Sequence, residues 1–367
     1  MHERWRCIDC SLVEIWHGLD KVAPDFGDTA VTIGVFDGIH RGHRVLVDRT
    51  VAAAAAHGYK SVLVTFDPNP AALFAPDGGP VALTTIARRA ELVAAAGVDA
   101  MLVIPFTKEF AGLSPEEFVR EVLGRTLQAK QVFVGQNFSY GKKAAGNAET
   151  LQTQGAELGI DVTVVPLVDV HGKGAEPEGA EGEMNSPESP KVEAGELTRV
   201  SSTVVRGLLA EGQVGQAAGC LGYFYRLDGA VVHGQGRGGA ELGYPTANLE
   251  ITDGLALPAD GVYAAWFSVS PTEQLPEADI TGDIAFGVRY PAAVSIGSNV
   301  TFGEHIRTVE AYIIGRSGNI YGAQGHLEFV ERIRGMEKFD SVAALVARMR
   351  QDVEETLSIL ENHNYHC

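Results

Sequence analysis

Basic residues are in short supply: 29 Lys and Arg stand against 47 Asp and Glu, a formal net charge of −18. That balance excludes a broad electrostatic footprint for nucleic acid or an anionic membrane, while leaving room for a local positive pocket around a phosphate. Cysteine is nearly absent. Cys7, Cys10, Cys220 and Cys367 are too few and too scattered for a disulfide framework, and Cys7/Cys10 has no second pair at zinc-ribbon spacing. Both are expected in a frayed N-terminal extension. Long apolar runs are missing as well. No stretch reaches the length of a membrane span, and the opening MHERWRCIDC lacks the apolar centre of a signal peptide, so a cytoplasmic protein is expected. What remains is a chain of 367 residues, 45% hydrophobic, long enough for two domains with a core each.

Up to residue 168, short apolar runs alternate with helical patterns. Strands are expected over 30–36, 60–66, 100–106, 131–135 and 162–168. Helices are expected over 45–56, 84–97 with Thr84 as cap, 114–127 behind the start signal Ser-Pro-Glu-Glu, and 147–159. Such alternation predicts a mostly parallel sheet with helices on both faces and a ligand site at the carboxyl ends of its strands. From 171 to 199 the pattern stops. Seven glutamates, many Gly and Pro and no aromatic residue predict a disordered, solvated acidic insertion. Helices over 202–211 and 214–220 follow, and then the texture becomes strand-like at 223–233, 262–269, 292–296, 308–314 and 326–333, with a closing helix over 340–361. The expected organisation is an α/β domain, 1–222, and a small antiparallel β-barrel with a helix, 223–367.

One stretch stands out. Gly34 to His43, GVFDGIHRGH, places His40 and His43 between a buried strand and a helix start. Backbone N–H groups at a helix N-terminus lack helical partners and the dipole there is positive, which suits a phosphate, and Gly38 and Gly42 let the backbone approach closely. TFDPNP (65–70), VGQNFSYG (134–141) and VSSTVVR (200–206) follow in order at strand ends. Alone, Ser-Ser-Thr before a helix is an ordinary cap.

Together these four stretches resemble the FMN adenylyltransferase module of bacterial bifunctional riboflavin kinase/FMN adenylyltransferases, within the nucleotidyltransferase superfamily that shares HxGH. The resemblance implies a Rossmann-like nucleotidyltransferase domain in which His40 and His43 are catalytic. Gly34, Phe36, Asp37, Gly38, Asn69, Asn137, Ser201, Ser202, Thr203 and Arg206 would bind ATP or its phosphates. Asn69 stands where the family usually has histidine, and asparagine cannot become a cation, so a phosphate contact there is expected to be weaker.

The second half carries its own set. VHGQGRGG (232–239) contains GxGxxG without a βαβ unit around it, so a dinucleotide fold is the wrong inference. With LGYPTANL (242–249) it resembles the riboflavin kinase motif ending in Pro-Thr-Ala-Asn. That resemblance implies a barrel of riboflavin kinase type in which Gly234, Gly236, Arg237 and Gly238 cradle ATP phosphates. Thr246 and Asn248, hard oxygen donors, would hold Mg²⁺. Glu310 interrupts an apolar strand; pattern alone puts it on the solvent face, whereas the family places its general base there. Asn299 and Arg334 would contact flavin. Val300 replaces a family proline, and a basic residue often found after GRG is missing at Gly239-Ala240. The resemblance spans about residues 13–360, with 171–199 and 273–287 as insertions.

The implied activity is phosphorylation of riboflavin by ATP to FMN, then adenylylation of FMN by a second ATP to FAD and pyrophosphate. Two other readings stay open: a monofunctional riboflavin kinase with a weakened second site at Asn69, and a flavin carrier or regulator that has lost the chemistry. The expected partners are riboflavin, FMN and ATP, with no nucleic acid and no membrane, and the chain is free to form a weak homo-oligomer.

Overall fold

A computed structural model describes residues 3–5, 13–75, 78–166, 200–233, 244–272, 280–301 and 304–363, with backbone alone at 3–5, 298–301 and 304–306. The acidic segment 171–199, Cys7, Cys10, Cys367 and the glycine-rich run 234–243 lie outside the described residues. By contact the chain divides into two compact units, Met1–Ser202 and Thr203–Cys367. No described helix is long and apolar enough to cross a membrane.

The first unit is built on β1 (Glu3–Trp5), β2 (Val13–His17), β3 (Thr29–Ile33), β4 (Lys60–Asp67), β5 (Ala100–Pro105), β6 (Ala129–Gly135), a two-residue ladder of β7 (Ser139–Tyr140) with β8 (Gly146–Asn147), and β9 (Asp161–Val165). The main sheet runs β1-β2-β5-β4-β3-β6-β9. It is parallel except for β1, which lies antiparallel on β2. Side chains alternate between two cores. Val62, Val64, Leu102 and Ile104 enter one face with Phe118, Leu123 and Leu151, while Leu63, Met101 and Val103 enter the other with Val47, Ala90 and Val93. Period-two alternation of wholly apolar strands is what a sheet covered on both faces requires.

The helices are α1 (Arg41–His57), α2 (Pro70–Phe74), α3 (Ile86–Ala94), α4 (Pro115–Glu117) and α5 (Ala148–Glu157). Several expectations are corrected here. Glu3–Trp5 is an edge strand rather than part of a frayed extension, and β2 was not anticipated because VEIWH is short and carries Glu14 and His17 among its apolar residues. Thr85, not Thr84, caps α3. Ser114 closes a capping box onto α4 as its sequence suggests, but the stretch continues as a π-helix over Phe118–Thr126 instead of one α-helix.

The second unit begins with α6 (Ser202–Ala210), whose first residue closes the first unit, and α7 (Val214–Leu221). Then come β10 (Tyr225–Val232), β11 (Ala247–Ile251), β12 (Gly261–Ser270), β13 (Thr281–Gly282), β14 (Tyr290–Thr301), β15 (Glu304–Ile313), β16 (Gly318–Asn319), β17 (Gln324–Arg334) and α8 (Val342–His363). Six antiparallel strands close as β10-β11-β15-β14-β12-β17. β13 pairs with β16 apart from them. Tyr225, Leu227, Phe267, Val294, Ile296, Leu327 and Phe329 are buried, filling the small barrel as one core. β11 was not foreseen, since ANLEI offers only a short alternation beside the PTAN motif. Arg334 on β17 donates to both carboxylate oxygens of buried Asp352 on α8 at 2.9 and 2.8 Å. Leu360 packs with Ala264 and Val330, so α8 is fastened to the barrel by a charged pair and an apolar patch.

Two candidate active sites

In the first unit β3 lies between β4 and β6. Chain connections therefore leave β3 in opposite directions, and the crevice at its carboxyl end is where an open parallel sheet binds ligands. The loop after β3 is the GVFDGIHRGH stretch. Its backbone is unusual: Phe36, Gly38 and Ile39 all have positive φ, at 50°, 83° and 37°. For a β-branched residue such as Ile39 this is an outlier, and each non-glycine position of this kind costs about 1–3 kcal/mol unless its surroundings hold it. They do. Phe36 and Ile39 are buried, and Gly34 gives the Phe36 ring room, since a Cβ there would stand 3.3 Å from it.

Asp37 is the anchor of this loop. Its buried carboxylate accepts from the backbone N–H of Leu83 at 2.9 and 3.0 Å and of Thr84 at 3.1 Å. The Thr84 hydroxyl donates to it at 3.3 Å and accepts from Gly38 N–H at 3.1 Å. From the other side, Ser202 Oγ donates to the Asp37 carbonyl at 2.8 Å. The first and last motifs of the module are thus in direct contact.

His40 caps α1, its Nδ1 accepting from His43 N–H at 3.3 Å. That bond consumes one of the backbone donors expected to face an anion and puts the His40 proton on Nε2. The two imidazoles stack at 3.6 Å with 16° between planes, and Phe36 meets His43 edge-on at 5.0 Å. Burial, then the neighbouring His40 and Arg89, hold His43 well below the usual histidine range. Its buried Nδ1 has no hydrogen-bond partner among the described residues.

Asn69 caps α2, its Oδ1 accepting from Ala71 N–H at 3.0 Å, which leaves the amide as its only donor. Asn137 is exposed just past β6, and Ser201 is half-buried before α6. Thr203 and Arg206, on the first turns of α6, fall in the second unit. Beside the loop, at the carboxyl ends of β4 and β5, Phe66, Phe106 and Phe110 form a ring cluster with centroids 5.5 to 6.1 Å apart. Phe74, 72% exposed, extends it toward solvent at 6.5 Å from Phe106. Sequence reasoning gives no role to these rings or to Arg89, takes Thr65 and Phe66 only as part of TFDPNP, and reads Thr84 as a cap. Scattered aromatics and a threonine before a helix read as core and cap.

In the second unit strand pairing assembles the other site. Asn248 on β11 lies directly across from Glu310 on β15, and Ser295 on β14 flanks Glu310 from the other side. Val309 and Ala311 point into the barrel while Glu310 is half-buried on its outer surface. Thr246 Oγ1 stands 3.5 Å from Glu310 Oε2. Tyr244, just before β11, meets Tyr312 of β15 edge-to-face at 5.1 Å. Three predicted residues, Thr246, Asn248 and Glu310, are therefore brought together. Gly234, Gly236, Arg237 and Gly238 lie outside the described residues, as does the side chain of Asn299. Arg334 is engaged with Asp352 and with the Gly335 carbonyl at 3.1 Å, and its guanidinium lies 5.7 Å from the Phe339 ring centre.

Comparison with known proteins agrees with this division. Residues 23–176 match the FAD synthetase family and 221–360 the riboflavin kinase family. The bifunctional riboflavin kinase/FMN adenylyltransferase of Listeria monocytogenes is 30% identical over 343 residues, 93% of each chain. Its namesake from Escherichia coli is 29% identical over 92% of this chain and 93% of its own. A solved structure from Streptococcus pneumoniae, described as a macrolide-efflux protein, superposes with a TM-score of 0.75 at 28% identity, covering 93% of this chain and 98% of that one. With a loop strapped down around paired histidines in one unit, and a threonine, an asparagine and a glutamate gathered on a closed barrel in the other, the chain belongs to the bifunctional riboflavin kinase/FMN adenylyltransferase family.

Proposed function

We propose that the two units carry the family's two reactions at separate sites, in series. The observation that carries this reading is that two sets of polar groups lie in different compact units, Asp37, His40 and His43 in one and Thr246, Asn248 and Glu310 in the other.

On the barrel, Glu310 accepts the proton of the riboflavin 5′-hydroxyl as that oxygen bonds to the γ-phosphorus of ATP. The bond from phosphorus to the bridging oxygen breaks and ADP leaves. No cluster of three or more His, Cys, Asp or Glu suited to a metal occurs among the described residues. Thr246 and Asn248 instead offer two hard oxygens beside Glu310, a set that fits Mg²⁺ shared with substrate phosphates and not a protein-only cage. When bound, Mg²⁺ supplies neutralisation of phosphate charge. By the family resemblance Gly234, Gly236, Arg237 and Gly238 are assigned to the ATP phosphates and Asn299 to flavin, and Arg334 acts by keeping α8 in place.

In the first unit the FMN phosphate attacks the α-phosphorus of ATP and pyrophosphate leaves. FMN phosphate is already a nucleophile, so positioning and charge stabilisation are the whole task. His40 and His43 donate from Nε2 to phosphate oxygens, Ser201 and Ser202 hold the leaving pyrophosphate, and Asn69 and Asn137 line the nucleotide. The exposed ring of Phe74, backed by Phe106 and Phe66, is the surface on which a flavin ring stacks. In this reading the enzyme works in the cytoplasm, without nucleic acid, as a monomer or weak homo-oligomer. Incubation with riboflavin and Mg·ATP, with products separated by chromatography, tests it: FMN and FAD both appear, whereas FMN alone would leave a monofunctional kinase and neither would leave a flavin carrier.

A further inference from the structure

Arg89 was not part of any motif, yet it is among the few buried charged side chains, 5% exposed. We infer that Arg89 is a positioning residue for adenylyl transfer, a strut on α3 that locks the loop after β3 to the end of β4. The inference rests on the assignment of that loop to adenylyl transfer.

The bonds converge on Arg89. Its Nη1 donates to Thr65 Oγ1 at 2.7 Å, and Thr65 Oγ1 donates onward to the Val35 carbonyl at 2.8 Å. Its Nη2 lies 3.6 Å from Asp37 Oδ1, the carboxylate that collects Leu83 and Thr84 and, through Thr84, Gly38. The backbone from Val35 to Gly38 is thereby tied to one guanidinium. This is the segment that holds the left-handed Phe36 and Gly38 and leads into left-handed Ile39 and the histidines. A buried ion pair is a poor device for stability alone, because an apolar replacement of like volume is often as stable. It does fix geometry, since planar donors leave few alternative arrangements.

Arg89 also acts through its field. The titratable and charged groups that act on His43 are His40 from the cap of α1 and Arg89 from α3, the latter itself engaged with Asp37 of the loop. A second ring proton would sit on Nδ1, buried without an acceptor, and would be an unsatisfied donor in addition to a cation near a cation. The neutral Nε2–H form is thus selected twice, by lack of an acceptor and by charge. Removing Arg89 relaxes the charge constraint in part, burial and His40 remaining, so His43 gains its extra proton at a somewhat higher pH.

The test uses the full chain with FMN and Mg·ATP, kcat and KM separated, a pH profile, and riboflavin phosphorylation in the same sample as control. Arg89→Met should lower kcat for FAD formation by roughly 10²-fold, the scale of a misplacement near 1 Å. KM should change little, riboflavin phosphorylation should be unchanged, and the acidic limb of the FAD profile should move to higher pH. Arg89→Lys, which keeps charge without the planar fork, should restore the acidic limb and only part of kcat. An Arg89→Met enzyme with wild-type kcat and an unmoved acidic limb overturns the inference. If that variant loses cooperative melting, Thr65→Val decides: a fall of about tenfold in kcat supports the strut, and an unchanged kcat overturns it. A wild-type protein that makes FMN but no FAD would instead sink the underlying assignment of the loop.

Discussion

Ser202 donates its hydroxyl to the carbonyl of Asp37 at 2.8 Å across 165 residues of chain. The bond holds Ser202 against the loop that ends in His40 and His43, two stretches proposed to handle the phosphates of one substrate. Ser202→Ala should lower the rate of FAD formation by about tenfold, near the worth of one hydrogen bond of 1–1.5 kcal/mol, and leave riboflavin phosphorylation unaltered. Steady-state rates for both reactions on one preparation check this. Equal falls in the two would mean that the bond serves overall stability.

The two helices before the barrel bear on where it can be cut. Val214, Ala217, Cys220 and Leu221 of α7 are buried, and Arg332 on β17 reaches the Glu211 carbonyl at 3.3 Å and the Asp260 carbonyl at 2.6 Å. A fragment starting at Thr203 should fold and phosphorylate riboflavin. One starting at Tyr223 gives up those four apolar side chains, at roughly 1.5–3 kcal/mol for each larger one, and should melt clearly lower. Thermal melts of the pair measure the difference, and equal melting points would place the boundary at 222.

Acid should loosen the barrel at one identifiable pair. Burial works to raise the Asp228 carboxyl, but the hydrogen bond from His326 at 2.6 Å and the charge of Arg226 outweigh it, leaving Asp228 below its ordinary 3.8. A carboxyl lowered by folding contributes stability that is fully present above its unfolded value and is lost as pH falls through the folded one. The barrel's melting temperature should therefore fall steeply below about pH 4, and Asp228→Asn should flatten that slope while lowering stability at neutral pH. Melts from pH 7 down to 3 test this, and parallel slopes in the two proteins would refute it.

Much of the architecture is legible in the sequence because its strands in the first unit are continuous apolar runs and its barrel strands alternate. Val62 to Val64 or Leu327 to Phe329 announce their burial by type and period alone. Short elements that mix polar and apolar residues are not legible: β2 (VEIWH) and β11 (ANLEI) went unforeseen, whereas β3 (TAVTI), equally short, sits in a run free of charged residues. Thr84 shows why a local signal can mislead. Its hydroxyl looks like a helix cap, and Thr85 takes that role because Thr84 is drawn to Asp37, 47 residues away.

The sites divide in the same way. His40, His43, Thr246, Asn248 and Glu310 stand in contiguous motifs, and strand register brings the last three together as their residue types suggest. Arg89 carries no motif, and Thr65, though it opens the TFDPNP stretch, has no role assigned there. They matter through contacts across β3, β4 and α3 that exist only once the sheet has formed, and no spacing along the chain encodes such contacts.

The account's central claim is that the two reactions occupy separate sites, and a pair of substitutions in the full chain tests it in one assay of riboflavin with Mg·ATP. Glu310→Gln removes the proposed base while keeping its shape, so FMN formation should fall by roughly 10²–10⁴-fold, with FMN added directly still converted to FAD. His43→Ala removes a donor aimed at developing phosphate charge, worth about 10²–10³-fold in rate; that protein should accumulate FMN and make little FAD. If either substitution depressed both reactions equally in a protein that still melts cooperatively, the two-site account would be contradicted and one shared nucleotide site would have to replace it.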